Sequence, residues 1–416
     1  MSHSFPAAAN PVAAKTGARK LEFWILAALF LCLPLFEAPK NIFWGLYLVV
    51  WFANRARARD FGGRWDAWDT LITVWIASGF VVAAFAGLHR SEWHGALDLV
   101  RYGSVLWLLK RSRLSEREIG WLLGALAAGT ALALLQGYWR LLVAHSRQFL
   151  ELHSVGFVNH SAIYLAILLG AAVSVVAAYW HRLRAFTRAG ATMLLAFFAV
   201  SLVVTQSRTA IAVALAFVVL LGIAWWPRSR RVTLVTILAT AAIVVVALVA
   251  RVNVVMKHEA RISEGNVLAY RVQVWNTARA AWQRFPLFGV GMDNYSVIES
   301  EAVRQWRAEA GKPFDEKSFK VKTGHAHSLY YNTLAERGAV GFAALAAVLL
   351  AWAWTLVRRY PGRSGDDRAW ALWGGALSGW LVSVFAGVGN TTLHHEHALL
   401  AMILLGLWLG DGRRSG

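Results

Sequence analysis

The sequence predicts an all-α integral membrane protein with about 12 transmembrane helices and one large helical loop before the tenth span. Three features predict it. Hydrophobic residues make up 58% of the 416 residues, more than the roughly 45–50% of soluble domains. Apolar runs long enough to cross about 30 Å of hydrocarbon recur along the whole chain. The basic residues lie mostly in short clusters between those runs, a pattern typical of cytoplasmic loops.

Twelve runs fit as membrane spans, and the second of them is short. They lie at 21–36, 41–53, 66–88, 95–109, 118–142, 160–180, 190–206, 209–226, 232–253, 328–357, 369–388 and 396–410. The loops after the second, fourth, sixth, eighth and tenth runs are basic, whereas the short loops after the odd runs carry few basic residues. Every second loop therefore indicates the same orientation, with both termini cytoplasmic.

This orientation divides the chain into five parts. They are a cytoplasmic tail at 1–20, nine transmembrane helices at 21–253, a helical loop on the outer side at 254–327, three transmembrane helices at 328–410 and a cytoplasmic tail at 411–416. The outer loop is longer than about 60 residues, a length at which basic residues no longer decide the orientation. Its apolar spacing predicts an amphipathic helix near 267–284, and a second, polar helix is expected at 293–310.

Charge and cysteine content narrow the function classes. A net charge of +19 would suit a nucleic-acid-binding protein, but basic clusters between apolar runs favour membrane topology, so no nucleic-acid partner is expected. Cys32 is the only cysteine, which excludes an intrachain disulfide and a cysteine-based metal site. The first apolar run lacks a signal-peptide cleavage motif, so we expect it to be retained as the first transmembrane helix. The tract at 394–397 offers only a partial set of metal ligands, so no metal and no cofactor is expected.

Arg208 lies in the first of three polar features predicted on the outer face, a turn between two long apolar runs. An arginine at membrane depth costs about 3 kcal/mol on insertion scales. The simpler interpretation is an arginine that extends its head from a tight turn into water. The neighbouring Gln206 and Ser207 instead favour a donor-rich pocket for an anion.

Arg271 is the second feature, on the predicted amphipathic helix of the outer loop. Its helical neighbours Val267, Val274 and Trp275 put it near the apolar face. A guanidinium is a planar fork that binds phosphate oxygens in pairs and stays charged at any relevant pH. The alternative is an ordinary arginine on a solvated helix surface.

The third feature is the pair His325 and His327, followed by Ser328 at the start of an apolar run. Histidine is the side chain best suited to accept a proton near neutral pH. Two histidines at positions i and i+2 do not share a helix face. One would therefore accept the proton, while the other orients it or faces solvent. Capping or packing is the alternative, and the spacing by itself leaves both histidines open as the base.

The residues after His327 form a family signature. His327-Ser328 is followed by nine residues, then Gly338, two residues and Gly341. In this pattern the chain resembles the O-antigen ligase (WaaL) family, within a superfamily that includes Wzy polymerases and protein O-oligosaccharyltransferases. Further stretches are similar to the C-terminal region of that superfamily: the Ser207-Arg208 turn, and Arg271, Trp275, Pro286, Gly289 and Gly291.

The resemblance implies a glycosyltransferase of lipopolysaccharide biosynthesis in a Gram-negative inner (cytoplasmic) membrane, with the active site facing the periplasm. It implies undecaprenyl-diphosphate-linked O-antigen as donor, a hydroxyl of the lipid A-core oligosaccharide as acceptor, and membrane lipid as surroundings. Transfer would be inverting and metal-independent. It favours His327 as the catalytic base and Arg208 and Arg271 as the diphosphate-binding residues. Four further positions are expected at the site: His325, Ser207, Gln206 and Ser328.

Three alternatives to the ligase remain open. A Wzy-type polymerase would use the same donor, and the single large loop favours the ligase over it. A protein O-oligosaccharyltransferase is expected to carry a longer C-terminal portion. A lipid-linked glycan transporter should have charged or broken spans at the midplane of the membrane, whereas the polar groups here collect at one face.

Overall fold

The computed structural model describes residues 11–230 and 269–411, which fold into α-helices joined by turns, short 3₁₀ segments and a π-helical turn at Trp139–Val143. In these two ranges, the strand-type pairing is confined to an isolated bridge between Leu152 and Gly156. The helices are α1 (Pro11–Cys32), α2 (Glu37–Ala58), α3 (Ala67–Ala84), α4 (Glu92–Arg111), α5 (Glu116–Tyr138), α6 (Val158–Tyr179), α7 (Ala185–Val204), α8 (Arg208–Trp225), α9 (Ala269–Arg284), α10 (Ser300–Glu309), α11 (Leu329–Arg358), α12 (Asp367–Phe385) and α13 (His395–Asp411).

Seven of the described helices are long and apolar enough to cross a membrane: α3, α5, α6, α7, α8, α11 and α12. These helices confirm the prediction of a helical, multi-pass membrane protein. The predicted spans at 21–36, 41–53, 95–109 and 396–410 are helices as well, but their crossing of the membrane, and the total of twelve, stay predictions. The predicted span 232–253 and the start of the outer loop lie outside the described residues.

The two N-terminal helices are longer than the apolar runs that predicted them. α1 begins at Pro11, inside the predicted tail 1–20, and α2 has 22 residues where 41–53 was expected. In α2, Glu37 lies in the first turn, and Arg55 and Arg57 lie in the last. Charges of these signs stabilise the two ends of a helix dipole, so polar residues extend the helix beyond its apolar centre.

The two helices predicted within the outer loop are both present. α9 matches its predicted range within two residues at its start, whereas α10 is shorter than 293–310 because a 3₁₀ turn at Tyr295–Val297 precedes it. Residues 269–328, called the α9–α10 segment below, have a small core of their own. That core contains Val274, Val303, Ala326 and, from α11, Ala335. The segment is therefore packed onto α11.

Helix α11 is broken at Gly338, whose φ of 57° and ψ of −160° are not helical. The segment 286–291 docks at this break and pairs with the backbone on both sides of it. Four hydrogen bonds form the joint: Val290 N–H to Ala335 O (2.8 Å), Gly291 N–H to Glu336 O (2.9 Å), Ala339 N–H to Pro286 O (2.8 Å) and Val340 N–H to Leu287 O (3.1 Å). An unpaired backbone group away from water costs several kcal/mol, so the break is stable only with its partner segment.

We predict that Gly338→Ala destabilises the protein. The φ and ψ of Gly338 lie in a region open essentially to glycine, which costs other residues about 1–3 kcal/mol, and a Cβ there would lie 2.4 Å from the Leu287 backbone. Thermal unfolding in detergent measures the effect. Gly190→Ala in α7 is the control, because a Cβ there meets no atom within 4 Å in the part of the chain that the structure describes. Equal melting temperatures for the two variants would contradict the prediction.

Candidate functional site

Several helix ends meet at one end of the bundle, called the site end below. They are the N-termini of α6, α8, α11 and α13 and the C-terminus of α12. The ring of His160, in the first turn of α6, lies 5.5 Å from that of His325 and 5.2 Å from that of His397 in α13. A Cβ on Gly387, just after α12, would lie 3.1 Å from the Leu329 side chain at the start of α11. The predicted site residues are found here.

The His loop, residues 324–328, is held by side chains that the sequence analysis did not single out. The Asn332 side chain accepts a hydrogen bond from the Ala326 N–H at 2.8 Å and donates one to Glu336 at 2.9 Å. The Leu329 N–H donates to the carbonyl of Asn390 at 3.0 Å. His327 has a φ of 49°, a left-handed conformation that persists only where surrounding contacts maintain it. Asn332 provides such a contact directly beside it.

The two histidines of the loop have different hydrogen bonds. His325 Nδ1 accepts from the His327 backbone N–H at 3.2 Å and lies 3.1 Å from the Thr391 hydroxyl. A nitrogen that accepts a hydrogen bond carries no proton, so neutral His325 has its proton on Nε2. Among the described residues, no side chain hydrogen-bonds to the ring nitrogens of His327. His325 is therefore placed to hold the loop, and a lone pair of His327 remains for another molecule.

Both imidazoles are neutral at pH 7. Burial, and secondarily the charge of Arg271, lower the pKa of His327 below its usual 6.5. Burial, followed by the nearby imidazoles of His327, His160 and His394, lowers the pKa of His325 to about 3. A neutral imidazole is the form that accepts a proton, so His327 is in the protonation state that a base requires.

Arg271 lies in the first turn of α9 and faces the His loop. Its Nη1 lies against Gly389, where an added Cβ would be 2.7 Å away. Burial, and then the charge of Arg208, lower the pKa of Arg271. These effects require Arg208, Arg271 and His327 to be neighbours, although 63 residues separate the first two in the sequence. Within the described residues, no carboxylate pairs with Arg271.

Arg208 is the first residue of α8 and follows a tight turn. Gln206 adopts a φ of 56°, and its N–H donates to the carbonyl of Val203 at 2.9 Å. Ser207 is buried at the N-cap position but makes no side-chain capping bond. A cation at the N-terminus of a helix opposes the helix dipole by about 0.3–1 kcal/mol. A bound anion would be attracted by both the dipole and the guanidinium.

Ser328 has a structural role in the described contacts. It is the N-cap of α11, where its Oγ accepts from the Tyr331 N–H at 3.5 Å and donates to the Gly387 carbonyl at 3.4 Å. The side chain is buried. Its expected contribution to the site stays a prediction, as do those of the other predicted site residues.

Four imidazoles surround the two of the His loop, and this cluster was only weakly predictable from the sequence. The ring of His160 lies within 6.2 Å of His394, His395 and His397, in addition to His325. The intervening Glu396 is buried and forms an ion pair with Lys40. Within residues 11–230 and 269–411, no three His, Cys, Asp or Glu side chains are arranged to hold a metal ion. The histidines of the tract at 394–397 pack against His160 at the site end of the bundle.

A comparison with known protein families bears on this region. Residues 191–346 match the O-antigen ligase family model. The match includes α7 to the first half of α11, and so contains Arg208, Arg271, His327 and the break at Gly338. The resemblance predicted from the signature is confirmed over this range, and similarity to this family supports a glycosyl-transfer enzyme at a coarse level. No curated protein matches the chain.

We predict that Arg271→Gln raises the pKa of His327, because the variant removes the neighbouring positive charge that disfavours an imidazolium. Burial remains, so the pKa should still not exceed the ordinary value of about 6.5. The rate of His327 modification by diethylpyrocarbonate, which needs the neutral ring, reports this pKa as a function of pH by mass spectrometry. Arg279→Gln is the control on the exposed face of α9. A shift of equal size in that variant would remove Arg271 as the specific cause.

Proposed function

We propose that the protein is an O-antigen ligase. It transfers a polysaccharide from undecaprenyl diphosphate to a hydroxyl of lipid A-core, at the periplasmic face of a Gram-negative inner membrane. One observation carries the proposal: two guanidinium groups and one neutral imidazole, distant in sequence, meet at one end of a membrane-spanning bundle. The family match covers all three of these residues.

The two arginines suit a diphosphate donor. The leaving group of the reaction is an anion, whose charge increases as the glycosidic bond breaks. Arg271 is partly buried without a carboxylate partner among the described residues, and Arg208 adds a second positive charge at a helix N-terminus. Donors that are already oriented toward developing charge can each lower a barrier by about 3–4 kcal/mol. We assign Arg208 and Arg271 to the diphosphate, with Gln206 and Ser207 beside them.

The neutral imidazole of His327 suits the acceptor. A sugar hydroxyl is a poor nucleophile until its proton is removed. In the proposed step, the hydroxyl oxygen attacks the anomeric carbon, its proton moves to His327, and the bond from the anomeric carbon to the diphosphate oxygen breaks. Attack opposite the leaving group inverts the anomeric centre. His325 serves as a positioning residue, because its Nδ1 is occupied by the His327 N–H.

Transfer with purified protein in lipid vesicles tests the proposal. The reaction contains undecaprenyl-diphosphate-linked glycan and lipid A-core, and each is omitted in turn. A ligase attaches glycan to lipid A-core and requires both. Lengthening of the lipid-linked glycan in the absence of lipid A-core would identify a polymerase of the same superfamily. Transfer to a pilin-type protein would identify a protein O-oligosaccharyltransferase, and movement of intact donor across the vesicle membrane would identify a transporter.

We predict that His327→Asn abolishes transfer. Asparagine tolerates the left-handed backbone of this position but cannot act as the base, which typically contributes about 10²–10⁴-fold. His325→Gln should lower the rate less and leave the acidic limb of the pH profile in place. His153→Ala, an exposed histidine at the same end of the bundle, is the control for the loss of an imidazole. Transfer by His327→Asn at the unmodified rate would exclude His327 as the base.

We predict that Arg208→Lys and Arg271→Lys each reduce kcat by about 10²-fold or more, since loss of one oriented donor to a developing charge typically costs 10²–10³-fold. Lysine keeps the charge but not the planar fork that contacts two phosphate oxygens. Steady-state kinetics with the lipid-linked donor measures the effect. Arg279→Lys on α9 is the matched control and should be unchanged. Near-normal turnover in both site variants would assign these arginines to structure.

A further inference from the structure

A cavity separate from the candidate site lies at the opposite end of the bundle. It has a volume of about 460 Å³ and is bounded by α5, α6, α7 and α12. On α6, the candidate site lies beside His160, whereas the mouth of this cavity lies at Tyr179. Nineteen helical residues span about 28 Å, close to the thickness of the hydrocarbon layer. The mouth and the candidate site therefore face opposite membrane surfaces.

The depth of the cavity corresponds to one leaflet of a bilayer. Along α5 it extends from Glu116 to Ala127, and along α6 from Tyr179 to Leu168. Eleven residues of helix span about 16 Å, roughly half of the 30 Å hydrocarbon layer. A lipid tail that spans the whole layer would not fit this depth, whereas the acyl chain of a lipid in one leaflet would. The volume is also in the range of about 300–1,000 Å³ that ligand sites occupy.

The walls of the cavity are apolar, and its polar groups are confined to the mouth. The polar or charged lining residues are Glu116, Tyr179, Arg182, Thr187 and Arg368. Arg182 Nε contacts Asp367 at 2.7 Å, and its Nη1 lies 3.7 Å from Glu116. Arg368 Nη2 contacts Asp411 at 2.6 Å and the Leu114 carbonyl at 3.3 Å. A guanidinium has five N–H donors, so these contacts leave others available. Arg368 Nε is buried and has no hydrogen-bond partner among the described residues.

Two glycines in the wall have no packing reason to be glycine. A Cβ on Gly120 or Gly124 of α5 would meet no atom of the described residues within 4 Å. Glycine in a helix interior costs about 1 kcal/mol relative to alanine, and most glycines of the bundle offset this with a close helix contact. Gly129 of the same helix, for example, would place a Cβ 2.1 Å from the carbonyl oxygen of Leu31. Gly120 and Gly124 instead widen the cavity.

We propose that this cavity is a binding site for a glycerophospholipid of the membrane leaflet opposite to the candidate site. One acyl chain lies between α5, α6 and α7, and the phosphodiester of the headgroup binds Arg182 and Arg368. The apolar walls remove the acyl chain from water, and the two guanidinium groups at the mouth complement the charge of the phosphate. The site is independent of glycan transfer and needs no substrate of that reaction.

Photolabelling tests the proposal. The purified full-length protein is exchanged into a mixture of detergent and phosphatidylglycerol whose acyl chain carries a diazirine at its middle, irradiated, and mapped by mass spectrometry. We expect labels on α5 near Leu123 and on α7 near Ala191, both in the wall of the cavity. Gly124→Leu fills the space and should reduce this labelling at least tenfold, or about 1.4 kcal/mol of affinity. Gly120→Leu is the second filling variant, should Gly124→Leu fail to fold.

Two controls make the outcome decisive. Gly190→Leu adds the same side chain at a position of α7 that does not line the cavity and whose Cβ would also meet none of the described atoms within 4 Å. Its labelling should stay at the unmodified level. A diacylglycerol with the same diazirine chain tests the headgroup: Arg368→Gln should weaken labelling by phosphatidylglycerol and leave that by diacylglycerol unchanged.

Labelling spread evenly over the outer surfaces of the helices, or unaffected by either filling variant, would overturn the proposal. Displacement of the label by undecaprenyl phosphate in preference to phosphatidylglycerol would overturn it as well.

Discussion

The arrangement of the candidate site depends on the joint between the broken helix α11 and the segment 286–291. A helix that breaks away from water exposes backbone donors and acceptors that must find partners. Here the same few residues that follow α9 supply them, with hydrogen bonds on both sides of Gly338. The joint fixes α9, which carries Arg271, relative to α11, which begins one residue after Ser328. Two parts of the chain that could otherwise move independently are thereby held in one geometry.

Gly338, the first glycine of the signature, belongs to this joint. Gly338 and Gly289 both have positive φ, and each faces the backbone of the opposite segment: a Cβ on Gly338 would lie 2.4 Å from Leu287, and one on Gly289 would lie 2.5 Å from the Ala335 carbonyl. At Gly341, an added Cβ would lie 2.2 Å from the Arg337 side chain. The spacing between His327 and Gly338 is thus the length of helix between the His loop and the joint. This gives a physical reason for a motif in which one histidine and a distant glycine occur together.

Much of this could be predicted from the sequence, and the remainder has clear physical causes. Long apolar runs predicted the spanning helices. Arg208 was identifiable because charge is costly near a membrane, Arg271 because it lies near the apolar face of a predicted helix, and His327 because it fills the signature position. The hydrogen-bond partners were not predictable: Asn332 and Thr391 are ordinary polar residues whose roles depend on three-dimensional contacts. The choice between His325 and His327 as the base likewise depends on a three-dimensional contact: the His327 N–H donates to Nδ1 of the His325 ring. Spacing carries no information on that point.

The crowding of imidazoles at the site end has a consequence for acid tolerance. An unfolded chain binds protons on its histidines below a pH of about 6.5. In the folded protein, burial and neighbouring imidazoles lower the pKa of His325 to about 3, and burial lowers that of His394 as well. The unfolded state therefore takes up more protons than the folded one as the pH falls from 6.5 toward 3, and the stability of the fold decreases over that interval. Acidification would loosen the helix ends that the histidines join before it affected the apolar interior of the bundle.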